Sequence, residues 1–355
     1  MSALHRAQSF CADYNLRIPI LLAPMSGACP PASSIAVANA GGLGGCGALL
    51  MDPAAIKTWA AEVRAGTSGG FQINLWIPDP PPKRDAEAEA AVRSFLSKWS
   101  PPIAPDAGDG KPPDFGSQCE AILEVNPTVI SSIMGVFPPA FVEKMKARGI
   151  KWFACATTVS EAKRAESAGA DAIVAQGMEA GGHRGAFDAA KAEAEMVGLF
   201  SLLPAVVDAV RVPVIATGGI ADARGIAAAL ILGASAVQIG TAFLRSPEAN
   251  ISRAWADSIG TTLPEKTLVT RTFSGRPGRA IANAYARAAT APDAPNPAPY
   301  PVQRGLTKAM RDLAAKNNDT DRIQAWAGQS AALAQARPAG EIAKELWEGA
   351  QKLLS

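Results

Sequence analysis

The sequence predicts an α/β fold, specifically a (β/α)₈ TIM barrel with an inserted segment and a small C-terminal helical subdomain. Eight short apolar runs alternate with segments of helical character over roughly 240 residues, a length and rhythm typical of such a barrel. A doubly wound sheet is the alternative. Its first strand is usually followed by a glycine fingerprint, whereas here Pro24-Met25 follows the first run. The barrel is therefore the better prediction.

The predicted strands are apolar runs that end at proline, glycine or a polar residue. Residues 18–23 are uninterrupted and end at Pro24, which is typical of a strand buried on both faces. The other predicted strands are 43–45, 71–75, 129–134, 151–156, 172–175, 214–217 and 236–239. Helices are predicted over 33–40, 53–65, 138–148, 159–168 and 222–232, with one more ending near Arg211.

The alternation is interrupted over residues 78–116. Four prolines fall within 78–82, a helix-like segment covers 85–99, and 101–113 is rich in Pro, Gly and Asp. A linker is the simplest alternative, but an insertion at the ligand face of a barrel more often belongs to the pocket. We predict that residues 78–116 form part of the pocket rim.

The chain is predicted to contain a barrel over residues 1–245 and a mainly helical capping subdomain over 246–355. Beyond Arg245 the strand-helix rhythm is lost, and helices are predicted over 307–315, 322–336 and 341–353. The proline-rich stretch 292–301 is expected to be extended and to cross between the two parts.

Composition excludes several classes of protein. The net charge of +2, without a cluster of Lys and Arg, argues against a nucleic-acid partner. No apolar run approaches the ~20 residues of a membrane-spanning helix, and the N-terminus lacks the apolar core of a signal peptide. The five cysteines are odd in number and scattered, which disfavours a disulfide framework or a zinc cluster. We expect a cytoplasmic protein without bound metal.

The loop 176–185 is the first candidate for a functional site. It follows a predicted strand, contains four glycines in ten residues, and holds His183, one of only two histidines in the chain. Glycine allows a backbone to pass close to a ligand, and histidine can titrate near neutral pH. A surface turn with an incidental histidine is the alternative, so this loop needs support from elsewhere in the chain.

Two further glycine loops supply that support. Gly218-Gly219 follows the seventh predicted strand and Gly240-Thr241 follows the eighth, where barrels commonly bind phosphate. Backbone N–H groups and the Thr241 hydroxyl could donate to phosphate oxygens there. Asn74 and Gln176, both at strand ends, carry amides that could bind a flavin ring edge. A bound FMN would also explain the scarcity of acid and base residues.

Taken together, these motifs resemble the nitronate monooxygenase family, formerly called 2-nitropropane dioxygenases. The ordered set comprises 19–25, 38–44, 72–74, 177–185, 217–220, 238–243 and 273–277, and it covers most of the chain. The resemblance implies a barrel that binds FMN non-covalently and oxidises alkyl nitronates, with propionate 3-nitronate expected, by O₂ to a carbonyl compound and nitrite. A small anionic substrate and O₂ are then the partners, and the oligomeric state is left open.

The resemblance also assigns residues by motif position. His183 is implied as the catalytic residue, which takes the α-proton from neutral nitroalkanes and orients an already anionic nitronate. Arg276 and Tyr300 are candidates for the substrate rim. The residues implied in FMN binding are Met25, Asn74, Gln176, Gly181, Gly218, Gly219, Gln238, Gly240 and Thr241.

Three other functions remain open from the sequence. A flavin-dependent enoyl-acyl carrier protein reductase shares a nearly identical histidine loop, and a flavin quinone reductase shares the fold; both would oxidise a reduced nicotinamide. A flavin- or phosphate-binding sensor is the non-enzymatic alternative, although the chain shows no output domain.

Overall fold

Eight parallel strands form a closed barrel in the computed structural model, which describes residues 2–355. The barrel strands are β1 Ile20–Leu22, β2 Gly44–Gly47, β3 Phe71–Trp76, β4 Val129–Ile133, β5 Lys151–Ala156, β6 Ala172–Gln176, β8 Val214–Thr217 and β9 Ala236–Ile239, while β7, Gly182–His183, lies outside the barrel. Hydrogen-bonded neighbours follow the order β1-β9-β8-β6-β5-β4-β3-β2, and a parallel bridge between Leu21 and Leu43 closes the ring. The predicted (β/α)₈ barrel is confirmed.

Helices surround the barrel. They are α1 Ala3–Asp13, α2 Pro31–Ala40, α3 Pro53–Gly66, α4 Ala86–Leu96, α5 Phe115–Val125, α6 Pro139–Ala147, α7 Val159–Ser167, α8 Leu199–Ala209, α9 Ala223–Ile231, α10 Arg253–Thr261, α11 Ala284–Ala288, α12 Val302–Leu306, α13 Lys308–Asn317 and α14 Ala339–Leu354. The last of these, α14, packs against α9 and α2 and so completes the outer layer. Within residues 2–355, no helix is both long and apolar enough to cross a membrane.

Local sequence determines where the outer helices begin. The Asp52 carboxylate accepts the N–H of Ala55 at 2.8 Å, and Asp222 accepts that of Gly225 at 3.0 Å, so each caps the helix that follows it. Pro53 occupies the first turn of α3, where its missing N–H costs nothing. These caps hold α3 and α9 in place behind strands whose ends carry candidate site residues.

Helix α1, which was not predicted, closes the N-terminal end of the barrel. Its Phe10 and Tyr14 are buried against Phe153 of β5, with 5.0 Å between the Tyr14 and Phe153 ring centroids. They cluster with the first residues of β4, β6 and β9. Since this end is filled by side chains, only the carboxyl end of the barrel is left to form a site.

The insertion packs as an ordered unit. It contains α4 and ends as α5 begins, and α5 was missed by the sequence analysis because its apolar residues follow directly on a Pro-, Gly- and Asp-rich stretch. The Arg93 guanidinium donates to the carbonyls of Ala104 and Pro105 at 2.9 and 2.7 Å, which fixes the return of the chain across α4.

The C-terminal part contains a three-stranded sheet. Strands β10 Thr267–Thr270 and β11 Gly278–Ile281 form an antiparallel hairpin, and β11 also pairs with β7, with Gly278 opposite His183. The histidine loop is thereby fixed to the C-terminal part of the chain by backbone hydrogen bonds. The division into a barrel over 1–245 and a cap over 246–355 remains a proposal, and α14 belongs to the outer layer of the barrel.

The predicted helix over 322–336 is wrong. Residues 323–330 are irregular, with a single bridge from Trp326 to Ala280, and only Ala331–Leu333 forms a short 3₁₀ turn. The physical reason is close packing against the histidine loop, since a Cβ at Gly181 would lie 2.5 Å from the Gly328 nitrogen. We call residues 326–330 the clamp segment.

Candidate functional site

A cavity of about 410 Å³ lies at the carboxyl end of the barrel. It is formed by strand ends, by the three glycine loops and by the C-terminal part of the chain. His183 and every residue predicted to bind FMN line it, namely Met25, Asn74, Gln176, Gly181, Gly218, Gly219, Gln238, Gly240 and Thr241. The structure thus brings together residues that are up to 216 positions apart, from Met25 to Thr241. Their individual roles remain predictions.

The loops after β8 and β9 present free hydrogen-bond donors. Gly218 and Gly219 both have positive φ, +115° and +67°, a conformation that favours glycine and turns successive N–H groups outward. Among residues 2–355, the N–H groups of Gly219 and Thr241 find no acceptor. The Thr241 hydroxyl accepts the N–H of Gly328 at 3.0 Å and keeps its own proton to donate. This donor set fits a phosphate group.

The three amide side chains predicted to bind FMN differ in which of their polar atoms are free. Both polar atoms of the Gln176 amide are engaged, since its Nε2 donates to the His183 carbonyl at 3.1 Å and its Oε1 accepts the N–H of Gly185 at 2.8 Å. It therefore holds the histidine loop. Asn74 uses only Nδ2, on Ser131, and Gln238 uses only Oε1, on Gln72. The Asn74 oxygen and the Gln238 amide nitrogen thus remain for a ligand with polar ring edges, which is what FMN presents.

His183 packs against two indole rings. The ring centroids of Trp76 and Trp326 are each 4.8 Å from the imidazole centroid. Its Nε2 is 2.8 Å from the Ser274 hydroxyl, and that hydroxyl is also 3.2 Å from the Arg276 carbonyl. If Nε2–H donates to Ser274 and Ser274 donates to that carbonyl, Nδ1 carries the lone pair. Nδ1 has no protein partner within the described residues 2–355.

Burial, reinforced by the charges of Arg276, Arg304 and Arg311, lowers the pKa of His183 to about 3. The imidazole is therefore neutral near pH 7 and able to accept a proton. Two of these arginines line the cavity itself, whereas no Asp or Glu does so in the part of the chain that the structure describes. The cavity is consequently a positively charged environment.

Arg304 and Arg311 differ in how they are held. The Arg311 guanidinium donates to Thr307 Oγ1, Gln324 Oε1 and the Arg304 carbonyl at 2.9–3.1 Å, so its donors are satisfied by the protein. Within residues 2–355, the Arg304 guanidinium has neither a hydrogen bond nor an ion pair, although burial lowers its pKa. Arg304 is thus a cation available to an anionic ligand.

Arg276 and Tyr300, the two rim candidates, do not line this cavity. The Arg276 guanidinium is buried and its Nε lies 3.1 Å from Asp79 Oδ2, so it fixes the start of the insertion. Tyr300 packs on Trp76, with 5.4 Å between ring centroids, and faces a neighbouring cavity. Trp76 contacts both Tyr300 and His183, and Ser274, which is hydrogen-bonded to His183, also donates to the backbone carbonyl of Arg276.

Several lining residues were missed by the sequence analysis. They are Trp76, Ser131, Trp255, Arg304, Arg311, Gln324, Trp326, Gly328 and Ser330, together with Ser274 behind His183. Trp76 was detectable, because it extends β3 by one residue beyond the predicted end. The others belong mostly to the C-terminal part, whose path over the barrel has no local signal.

The clamp segment joins the three glycine loops. The N–H of Gly328 donates to Thr241 Oγ1 at 3.0 Å, and Ser330 Oγ donates to the Gly219 carbonyl at 2.6 Å. The N–H of Gln329 donates to the Glu179 carbonyl at 2.9 Å. The two predicted phosphate loops and the histidine loop are therefore held in one rigid arrangement by a single short stretch of chain.

Comparison with known proteins identifies the family. The sequence pattern of the family described as nitronate monooxygenase matches residues 9–349. The nitronate monooxygenase of Paraburkholderia phytofirmans is 37% identical over 338 residues, which is 92% of this chain and 91% of that protein. A probable nitronate monooxygenase of Staphylococcus aureus is 36% identical over 335 residues, with 92% and 93% covered.

Solved structures agree with this assignment. Nitroalkane oxidase from Streptomyces ansochromogenes superimposes with a TM-score of 0.87 at 32% identity, covering 97% of this chain and 100% of that one. FabK from Thermotoga maritima superimposes less closely, with a TM-score of 0.75 at 27% identity and coverages of 97% and 96%. With its barrel, its cavity and its relatives in agreement, this chain belongs to the nitronate monooxygenase family of flavin-dependent oxidoreductases.

Proposed function

We propose that the protein binds FMN and oxidises alkyl nitronates with O₂ to a carbonyl compound and nitrite. The observation that carries this proposal is the chemistry around His183: a neutral imidazole and the unpaired Arg304 guanidinium share a cavity lined, within residues 2–355, by no acidic side chain. An anion can enter such a cavity without meeting like charge, and a neutral substrate meets a base.

The residues that would hold FMN fall into two groups. The free N–H groups of Gly219 and Thr241, with the Thr241 hydroxyl, would bind its phosphate. Asn74 Oδ1 and the Gln238 amide nitrogen would bind polar atoms of the ring system. Bound FMN supplies the electron chemistry, since it can take electrons from the substrate and pass them to O₂.

Arg304 would bind the nitronate oxygens, and the fixed positive charge of Arg311 beside it would favour the same anion. With a neutral nitroalkane, His183 Nδ1 would accept the α-proton, and Ser274 would hold the ring so that this nitrogen keeps its lone pair. With a preformed nitronate no proton transfer is required, and His183 would serve to orient the substrate. Trp76 and Trp326 would exclude water from the surroundings of the imidazole.

Oxygen uptake tests the proposal. The purified holoenzyme is given propionate 3-nitronate, with NADH as the comparison substrate. Rapid uptake and nitrite release with the nitronate, and none with NADH, would support the proposal. Oxidation of NADH without reaction of the nitronate would instead indicate an enoyl-acyl carrier protein reductase or a quinone reductase. Reaction with neither substrate would favour the non-enzymatic alternative, a flavin- or phosphate-binding sensor.

A cytoplasmic location is part of the proposal. All five cysteines are buried and free of disulfide bonds. Burial raises the pKa of each thiol, which keeps it protonated and unreactive. Reduced, unreactive thiols fit a reducing compartment. A fusion of the chain to a fluorescent protein would test this location by microscopy.

A further inference from the structure

A second cavity of about 510 Å³ adjoins the first. Leu49 and Trp76 line both, so these two side chains form the partition between them. The remaining lining is mostly apolar and comes from the insertion and from the start of α12: Ile77, Pro78, Pro80, Pro81, Pro82, Pro112, Pro113, Phe115, Tyr300, Pro301 and Val302. The insertion thus builds a hydrophobic volume directly beside the site of reaction.

The walls of this second cavity are fixed rather than collapsed. The Gln118 amide donates to the carbonyls of Ala48 and Met51 at 2.9 and 2.8 Å and so holds the loop that carries Leu49. Asp79, at the start of the proline run, is held by the buried Arg276 at 3.1 Å. Arg84 pairs with Glu89 and Asp109 and ties the loop 108–113 to the start of α4. Several independent links therefore keep the cavity open.

Most of the charges near the second cavity are used in these links, whereas Lys111, which also lines it, is exposed to solvent and forms no ion pair within residues 2–355. Arg276 neutralises Asp79, and Glu89 and Asp109 neutralise Arg84. A polar or charged ligand would find few free partners there, whereas prolines and aromatic rings offer an apolar surface with little conformational entropy to lose. The chemistry of the lining selects hydrocarbon.

We propose that this second cavity binds the hydrocarbon tail of the substrate, whose anionic end lies at Arg304 and His183. The inference rests on the proposed function, and it predicts that the enzyme accepts long-chain alkyl nitronates as well as short ones. The tail would pass the partition between Leu49 and Trp76 and lie against the proline-lined wall. The insertion over 78–116 then has a role in substrate selection.

The distances between the rings set the chain length at which a hydrocarbon tail begins to gain binding energy from the second cavity. The His183 and Trp76 ring centroids are 4.8 Å apart, and those of Trp76 and Tyr300 are 5.4 Å apart. A fully extended chain advances roughly 1.2 Å per bond, because a three-bond residue spans about 3.6 Å. A tail thus reaches the partition after about four bonds and lies inside the second cavity after about eight.

Binding of straight-chain carboxylates tests the inference without any turnover. These planar anions resemble nitronates but cannot be oxidised by the same route, and their Kd values for the holoenzyme are measured by titration calorimetry from acetate to decanoate. We expect little change up to about four carbons and then a Kd that falls about fourfold for each added methylene, as burial of a CH₂ predicts. A Kd independent of chain length would overturn the inference.

Two variants in the insertion provide the matched comparison. Pro82 lines the second cavity and Pro101 lines neither cavity, and both are partly exposed. P82D places a charge against the tail and should flatten the dependence on chain length, whereas P101D should retain it. A chain-length dependence that survives in P82D would refute the proposed location.

Failure of the proposed function would be recognised separately. Oxygen uptake with ethyl nitronate, whose short tail does not reach the partition, reports on the reaction alone. A holoenzyme that ignores ethyl nitronate but still binds long carboxylates tightly would retain the tail site and lose the proposed reaction. A holoenzyme that oxidises ethyl nitronate but binds all the carboxylates with the same Kd would support the proposed reaction and overturn the tail site.

Discussion

Replacing Gly181 with alanine should separate the histidine loop from the clamp segment. A Cβ at this position would lie 2.5 Å from the Gly328 nitrogen, 2.6 Å from the Ala327 carbonyl carbon and 3.0 Å from the Ala327 Cα. All three are backbone atoms, which cannot rotate away as the end of a side chain could. Ordinary contact begins near 3.4 Å, so one of the two segments must move by about 0.9 Å.

The cost of that movement follows from the contacts it strains. Overpacking of this kind destabilises by about 1–3 kcal/mol. The hydrogen bonds from Gly328 to Thr241 and from Gln329 to Glu179 lie on the segment that must move, and each contributes about 0.5–1.5 kcal/mol. We therefore expect G181A to lower the free energy of unfolding by about 2–6 kcal/mol. Because Gly181 does not have a left-handed φ, none of this loss comes from backbone strain.

Denaturant unfolding of the flavin-free protein measures this loss. Flavin content, read from the visible absorbance of the purified variant, should fall as well, because the displaced segment carries the N–H that binds Thr241. The control is G110A, where a Cβ meets no atom within 4 Å and φ is ordinary, so stability should be unchanged. If G181A loses flavin but its flavin-free form is as stable as the parent, Gly181 serves the ligand alone and the packing argument is refuted.

Other predictions concern His183 and Arg304. H183N should keep its flavin but lower kcat/KM for nitroethane by about 10²–10⁴ while affecting ethyl nitronate far less; equal losses on the two substrates would contradict a role in proton transfer. R304Q should lower kcat/KM for nitronates by about 10–100-fold, as expected for a hydrogen bond to a charged group, with R304K retaining more, and steady-state kinetics with both variants checks this. Burial lowers the pKa of His183 from 6.5 to about 3, so between these values the unfolded chain binds a proton that the folded chain does not. The free energy of unfolding should therefore not depend on His183 above pH 6.5 and should fall by at most about 1.4 kcal/mol per pH unit as the pH drops below 6.5. Chemical unfolding at pH 7 and pH 5 should show a smaller difference in this free energy for H183N than for the parent.

The barrel could be predicted because each of its elements has a local signal. The strands 151–156, 214–217 and 236–239 begin and end at the predicted residues. Asp52 and Asp222 mark helix starts by capping, and glycine marks the loops at the carboxyl ends of β8 and β9. The positions of the site residues in the barrel follow from this topology, because parallel strands of a closed barrel bring their carboxyl ends together.

The C-terminal part of the site could not be predicted in the same way. Residues 322–336 have a helical composition, but close packing of Gly328 on Gly181 outweighs the local preference. Arg304 and Arg311 have an ordinary helical spacing, and nothing nearby in sequence distinguishes a cavity-lining arginine from a solvated one. Their role depends on their electrostatic effect on His183, which is more than a hundred positions away in sequence, and local patterns do not reveal such a relation.

The place of the clamp segment in the chain has a consequence for biosynthesis. The loops that it holds, at Glu179, Gly219 and Thr241, leave the ribosome long before Gly328 and Ser330 do. A nascent barrel therefore lacks one wall of its cavity and the tie between its glycine loops until nearly the whole chain has been translated. We therefore expect cofactor capture only near the end of synthesis, and a chain truncated before residue 326 should retain flavin poorly because it lacks both the clamp segment and α14.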